Sequence, residues 1–453
     1  MVGYRFQGAE TRVNPPRSWS VLPLALLALG AFPRCGRGGG GDRSTATSGS
    51  AAAGSGSVTA APAAVASAPG PAGPADAAPP SAAPVPSEPP PGIVPPSTFL
   101  GARAEKACHA QTVELASYQT RGDIALAGQA DAVAATWRVR LAGKPREQIA
   151  FGSFDREGRP SARARAVGLT SHEAAPRVFG AGSDWVVVWF DDKGLAYARP
   201  RQEPLPPPEV GHLGAVGAEA VADVALAPWP DGGALVAAPF GDKAHLGLFL
   251  LAAAERGAAA VKVLGVSHHG KQPHRAAVAA GAAGTFFAWD EGGALVGSRF
   301  DAAGKEIAAA CTLAPASPEP RERLALAATT AGAVAMWMEG GSVRTRALDA
   351  SACPASPIWT VGEGKWASIA PLGDTPLITW VAKDGRLLAA RLAATGAPPE
   401  RGLDAADGTS GVRDAPAAVA FGARVAFGWA EVMGPVVSTK RLQVRIVDAA
   451  CIP

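Results

Sequence analysis

One unit recurs along this chain and limits what it can fold into. It is an apolar run ending in or near tryptophan, a short turn of acidic residues and glycine, and a second mostly apolar run closing on arginine. The clearest copy is Trp185-Val186-Val187-Val188-Trp189-Phe190-Asp191-Asp192-Lys193-Gly194-Leu195-Ala196-Tyr197-Ala198-Arg199. Thr285 to Trp289, Ala333 to Trp337 and Leu377 to Trp380 repeat it, with turns at Asp290-Glu291-Gly292-Gly293, Glu339-Gly340-Gly341 and Lys383-Asp384-Gly385. Asp131 to Trp137 and Arg424 to Trp429 are looser copies, and Ala234 to Phe240 is a decayed one without tryptophan. The anchors Trp137, Trp189, Pro239, Trp289, Trp337, Trp380 and Trp429 recur at roughly 50 residues, the spacing of an architecture that stacks one supersecondary unit per repeat.

The second strand of each unit decides the architecture. Successive side chains on a strand point to opposite faces, yet in Trp185 to Trp189 both sets are apolar. A strand apolar on both faces must be covered twice. Short antiparallel sheets stacked face to face around an axis achieve this, so the expected fold is an all-β propeller over residues 108–453, with seven four-stranded blades. A parallel β-helix is the alternative, with shorter repeats. In the clearest unit the strands are read at 276–280, 285–289, 294–300 and 306–313, with an Asp-x-x-Gly turn at Asp301 that also occurs at Asp155; side-chain oxygens at such turns bond the backbone. The last unit ends at Cys451-Ile452-Pro453 without a fourth strand, whereas the first has a spare one at 110–118. The spare strand is expected to complete the last blade, setting Cys108 beside Cys451.

Residues 1–31 read as an export signal. Arg5, Arg12 and Arg17 lead into the uncharged run Trp19 to Phe32, which is too short to span a bilayer. Cys35 follows, with glycines after it, in the place of a lipidated cysteine, although Phe32-Pro33-Arg34 departs from the small residues a lipobox requires. From Gly36 to about residue 98 the chain is almost wholly Gly, Ser, Ala and Pro. Such a segment buries too little apolar surface to offset its ordering entropy and is expected to be a disordered tether.

The marker motifs of the well-defined propeller families are missing: no Gly-His with Trp-Asp, no kelch double glycine, no Asp-box. The repeat Trp-x-Asp-x-x-Gly-x-(Val/Leu) over residues 108–453 resembles that of exported bacterial lipoproteins carrying degenerate propeller repeats. The resemblance implies the propeller fold and an envelope location, periplasmic, outer-surface or secreted, and transfers no catalytic residue.

Candidate chemistry is sparse. With Cys35 set aside, Cys108, Cys311, Cys353 and Cys451 are an even number in a chain read as exported, which favours disulfides; Cys108–Cys451 is the preferred bridge, and the pairing of Cys311 with Cys353 is left open. His268, His269 and His274 cluster between two blades, a metal site if a further ligand joins them and otherwise a solvated loop. Asp191, Asp192, Asp290, Glu291, Glu339 and Asp384 form either an acidic rim that attracts cations or simply good hairpin turns. Arg199, Arg299, Arg346, Arg391 and Arg445 close third strands, either as an anion-binding ring or as ion-pairing side chains lying over the hydrophobic seam.

The 42 basic and 39 acidic residues nearly cancel, which gives no basic face for nucleic acid. No nucleophile elbow, phosphate loop or metalloprotease helix is present. The chain is therefore read as a monomer without cofactor or metal, a non-catalytic binding or scaffold module for an envelope polysaccharide or protein. It touches a membrane only through a lipid on Cys35. The competing reading is a polysaccharide hydrolase or lyase with paired carboxylates in the central cleft, since a propeller brings distant loops together.

Overall fold

A computed structural model describes residues 98–453 apart from several segments, the longest being 102–110, 201–209, 214–224, 252–260, 268–274 and 433–439. The described residues are strands joined by turns, with one short 3-10 turn at Ala449–Cys451. Two strands precede the first complete sheet: β1 (Thr98–Gly101) and β2 (Gln111–Ser117). Then come four antiparallel sheets, each in simple chain order. They comprise β3 (Thr120–Gln129), β4 (Ala132–Arg140), β5 (Glu147–Asp155) and β6 (Arg165–Thr170); β7 (Arg177–Ala181), β8 (Asp184–Asp191), β9 (Gly194–Ala198) and β10 (Val210–Leu213); β11 (Ala225–Trp229), β12 (Gly233–Phe240), β13 (His245–Leu251) and β14 (Val261–Ser267); and β15 (Ala276–Gly281), β16 (Gly284–Glu291), β17 (Ala294–Phe300) and β18 (Cys311–Ala314).

The next two sheets share a strand. β19 (Arg321–Ala328), β20 (Ala333–Glu339) and β21 (Ser342–Leu348) lead into the long β22 (Trp359–Ala370), and β23 (Leu377–Ala382), β24 (Leu387–Arg391) and β25 (Arg401–Asp404) follow. Residues 359–363 of β22 pair with β21, and residues 364–370 pair with β23. The strand thus ends one sheet and begins the next, crossing at Gly364, where an added Cβ would sit 2.1 Å from the Val381 carbonyl oxygen. A side chain cannot fit there. The last sheet contains β26 (Ala417–Phe421), β27 (Arg424–Val432) and β28 (Lys440–Asp448), and its outer strand is β2, antiparallel to β28. The spare strand does complete the last blade. With β22 divided at residues 363 and 364, the described strands form seven four-stranded sets.

The first strands of these sets touch one another in cyclic order, β3, β7, β11, β15, β19, β22, β26 and back to β3. That closes a β-propeller around an axis and leaves no open sheet face. The doubly apolar second strands are covered as their sequence requires. On β20, Ala335 and Trp337 pack toward β16 with Phe286 and Ala288, while Val334, Met336 and Met338 pack toward β23 with Ile378 and Trp380. On β27, Phe427 and Trp429 join Leu377 and Val381 of the preceding blade, and Ala426 and Ala430 join Val133 and Trp137 of the first. The six anchor tryptophans, Trp137, Trp189, Trp289, Trp337, Trp380 and Trp429, are all buried.

Two expectations need correction. The fourth strand read at 306–313 is shorter: Glu306 makes only an isolated bridge to Phe300, and β18 begins at Cys311. The turn geometry explains it, because the Asp301 carboxylate accepts the Lys305 backbone N–H at 2.9 Å and holds the chain in a loop there. The turns at Asp155 and Asp349 are built the same way. Second, β1 lies ahead of the expected domain boundary and pairs in parallel with β25, adding a strand at the outer edge of the penultimate blade. The export segment, Cys35 and the remainder of the tether lie outside the described residues.

Candidate functional site: the axial cavity

All seven first strands contribute to the wall of one cavity of about 260 Å3 on the axis. Each set's first strand is the innermost because its second strand consumes both faces in the inter-blade cores. The wall is mainly small and aliphatic: alanines from every blade, with Ile124, Leu126, Val278, Leu324, Leu326 and Ile369. Three arginines interrupt it, Arg177, Arg275 and Arg323, and no aspartate or glutamate is among the described residues that line it. In an apolar, half-enclosed space, field lines from guanidinium groups are less screened than at a flat surface.

The placement of these arginines follows from register. Arg177 opens β7 and pairs with Val188. Arg275 immediately precedes β15, where its carbonyl accepts the Asp290 N–H at 3.1 Å. Arg323 lies within a β-bulge in β19, where the register shifts between Glu322 and Ala325. An extra residue in one strand re-aims the side chain beside it. Arg323 has φ of 57°, in the left-handed region that costs an L side chain about 1–2 kcal/mol. The next blade repeats the device: β22 has a bulge between Lys365 and Ser368, and Trp366 has φ of 50°. Trp366 leans outward, against the core shared by the last two blades, and the Lys365 ammonium lies 5.8 Å from its ring. Two neighbouring inner strands therefore carry the same strained bulge, and in one of them the strained residue is an arginine on the cavity wall. Such outliers persist only where surrounding structure or function holds them.

The residues singled out from sequence divide differently. The acidic turn residues are spent on the turns and on the tryptophans. Asp191 accepts the Lys193 N–H at 2.8 Å and contacts His212 at 2.8 Å. Asp192 bonds Arg146 and Ser171. Asp290 accepts the Gly293 N–H, and Asp384 binds both the Arg386 backbone N–H and its guanidinium. Glu291 and Glu339 accept the indole N–H of Trp289 (3.4 Å) and Trp337 (3.0 Å), two residues earlier on the same strand. The Glu339 carboxyl lies below the usual carboxylate range: burial pushes it up, but hydrogen bonds from Ser317 and Trp337 and the Arg321 guanidinium outweigh that.

Three of the five third-strand arginines, Arg346, Arg391 and Arg445, bond neighbouring blades. Arg346 donates to the Leu313 carbonyl of the preceding blade (2.7 Å) and to Ser356 (2.8 Å). Arg445 donates to the Ala405 carbonyl (2.9 Å) and pairs with Asp407, and Arg391 reaches the Ala449 carbonyl. They join blade to blade. The arginines on the cavity wall are ones that sequence reading missed. No shared motif marks them: Arg177 opens β7, Arg275 precedes β15 and Arg323 is the third residue of β19.

Cys311 and Cys353 form a disulfide, with Cα atoms 5.2 Å apart, joining the outer strand of one blade to the turn after β21 of the next. Cys451 is disulfide-bonded as well, and its partner is not among the described residues; Cys35 and Cys108 both lie outside them, as do His268, His269 and His274. Among the described residues, no three His, Cys, Asp or Glu side chains gather as a metal site, and no helix is long and apolar enough to cross a membrane. A second cavity, about 610 Å3, opens between the outer strands of the first two complete blades, beside Leu169, Trp189, Val210 and the Asp191–His212 pair.

No family model matches the chain, and no curated protein matches it. Solved structures with a similar fold include the polysaccharide lyase Uly1, at 9% identity and TM-score 0.46, covering 72% of this chain and 90% of that one. The Cps50 (Swd1) β-propeller domain of Myceliophteria thermophila is 13% identical at TM-score 0.45, covering 74% and 99%. The WD40 domain of SCAP from fission yeast is 9% identical at TM-score 0.44, covering 75% and 98%. Polysaccharide-active enzymes and WD40 domains thus both occur among the folds this chain is similar to.

Proposed function

We propose that the protein is a non-catalytic binding module: a propeller head, exported and held at the cell envelope by the segment preceding residue 98, which presents its axial cavity to a polysaccharide or protein of the envelope. The observation that carries this reading is the composition of the cavity. The ring collects side chains from every blade at one place, and among the described residues these are mainly aliphatic groups and guanidinium groups. Those groups bind and orient. The paired carboxylates that split a glycosidic bond, roughly 5–9 Å apart, are not what the described inner strands bring to the axis. Export fits the Cys311–Cys353 bridge, since such bonds persist in oxidising compartments. A closed seven-bladed ring acting as a monomer completes the proposal. Screening the purified protein against envelope glycans, with product analysis of each glycan retained, tests it. Saturable retention without turnover is the expected result. New chain ends released from any bound glycan would replace this reading with the enzymatic one.

A further inference from the structure

We propose that the cleft between the fifth blade (β19, β20, β21 and residues 359–363) and the sixth (residues 364–370, β23, β24 and β25) is a subsite for one neutral pyranose unit. The sugar lays its ring C–H face against Trp366, donates a hydroxyl to Glu322 and accepts from Lys365. This cleft shares no lining residue with the axial cavity.

The backbone sets an aromatic ring here under strain. Trp366 sits in the β22 bulge with φ of 50°, an outlier for so bulky a side chain. Two residues earlier the strand crosses between blades at Gly364, whose N–H is held by the Gly341 carbonyl at 2.9 Å. From the fifth blade the Met338 sulfur accepts the Ala367 N–H at 3.4 Å, which fixes the thioether beside the bulge. The half-buried Trp366 packs on the core of the last two blades and also lines the cleft. Packing alone does not call for this geometry: the six anchor tryptophans fill the inter-blade cores from second strands at ordinary φ. Strained residues of this kind cluster where they clamp a ligand.

Register brings two polar groups to the same cleft. Glu322 lies directly opposite Met338 across β19 and β20, so both side chains are on one face of that sheet, the face that Met338 turns to the sixth blade. The Glu322 side chain is exposed and has no hydrogen-bond or ion-pair partner among the described residues. Lys365 is exposed as well, its ammonium 5.8 Å from the Trp366 ring centroid. The remaining charged groups of the lining are engaged: Glu339 bonds Trp337 and Arg321, and Lys383 pairs with Glu363. Acids (Glu319, Glu322, Glu339, Glu363) and bases (Arg321, Lys365, Lys383) mix in and around the cleft. Neither sign dominates, so a charged ligand gains no advantage over a neutral one.

Size and chemistry then select the ligand. The cleft holds about 330 Å3, inside the small-ligand range of roughly 300–1,000 Å3. Its surfaces are an indole, a thioether and a proline ring, with a free carboxylate and a free ammonium at the mouth. A pyranose matches both parts. Its ring C–H groups form an apolar face, and its hydroxyls donate to a carboxylate and accept from an ammonium. The Gly340-Gly341 turn keeps one lip low, since a Cβ added at Gly341 would meet nothing within 4 Å. The pyranose arrives either as a free sugar or as one unit of a longer glycan.

Isothermal titration of the purified protein with the methyl pyranosides of glucose, galactose and mannose tests the proposal, with glucuronate and glucosamine as charged counterparts. The proteins are the parent, E322Q, K365M, W366F and W366L. Glu322 and Lys365 are exposed, so E322Q and K365M keep the test open even if W366L does not fold; an unfolding curve on each variant verifies folding. At least one methyl pyranoside should bind one-to-one with a Kd of about 1 mM, the scale a ligand this small supports. E322Q and K365M should each weaken it about fivefold, the loss of one polar contact. W366L should weaken it about tenfold, and W366F, which keeps a ring on the same backbone, should weaken it less. Repeating the titration with a trisaccharide of the pyranose that binds separates the two sources: tighter binding indicates a unit of a glycan, and equal binding a free sugar. No saturation by any of the three pyranosides, tighter binding of glucuronate or glucosamine than of all three, or folded variants that bind like the parent would overturn the assignment. A pyranoside bound alike by parent and variants leaves the binding-module reading standing and removes the cleft assignment. A glycan that is retained and cleaved, yet lost from E322Q and W366L, removes the binding-module reading and keeps the cleft.

Discussion

Replacing Arg323 by glycine and by alanine should invert the usual order of those two residues in a strand. Within ordinary strand or helix interiors glycine is less favourable than alanine by roughly 0.5–1 kcal/mol, because its unfolded chain has more freedom to lose. At φ of 57° the alanine variant keeps the left-handed backbone with its Cβ, at a cost of about 1–2 kcal/mol, whereas the glycine variant does not incur it. Subtracting the entropy difference leaves glycine ahead of alanine by about 0.5–1 kcal/mol. Both variants lose the packing of the half-buried arginine stem equally, so that contribution cancels in the comparison. Urea unfolding followed by tryptophan fluorescence reads the result, since most of the repeat anchors are buried indoles. The two curves should share a slope, so that a shift in midpoint is a shift in stability. An alanine variant as stable as the glycine variant, or more so, would show that the bulge does not hold residue 323 in the left-handed region. The argument that Arg323 is kept there at a structural cost would then fail.

Trp337→Ala should destabilise the ring by about 3–5 kcal/mol, the range for truncating a large buried aromatic, because Trp337 is fully buried and its indole is the donor to Glu339; a variant within 1 kcal/mol of the parent, measured in the same urea assay, would contradict the core assignment. Reducing or replacing the Cys311–Cys353 pair, 42 residues apart in sequence, should lower stability by up to about 4 kcal/mol on chain-entropy grounds, read as the difference between Cys311→Ser and parent under non-reducing conditions. Glu339, whose carboxyl is held low in the folded state, contributes stability above its unfolded value of about 4.3 that is lost as pH falls through the lower folded value. Glu339→Gln should therefore flatten the acid side of the stability–pH curve, and an unchanged acid limb would refute the role given to its partners. Finally, Cys451 is disulfide-bonded and the spare strand completes the last blade, so non-reducing peptide mapping should recover Cys108 joined to Cys451; recovery of Cys108 as a free thiol would refute that pairing.

The architecture was legible because it rests on short-range pattern. The tryptophan period, the doubly apolar second strands and the Asp–Gly turns each fix a local geometry. Only face-to-face stacking satisfies all of them, and the spare strand ahead of the first blade, at 111–117, is the one that pairs with β28 in the last. The site was not legible in the same way. Arg177, Arg275 and Arg323 have no common motif and are far apart in sequence; only the closing of the ring brings seven first strands around one axis. The same physics hides the opposite case. Arg346, Arg391 and Arg445 recur at matching places and so look like a site, yet their partners are carbonyls of neighbouring blades, which no one-dimensional spacing displays. Whether Cys311 meets Cys353 is likewise a matter of inter-blade distance. Sequence by itself determined the strands, the turns and the need for double coverage, all of which depend on residues close in the chain. Tertiary structure alone decided which charged groups brace the blades and which face the axis, because that choice is set by bulges and by contacts between blades.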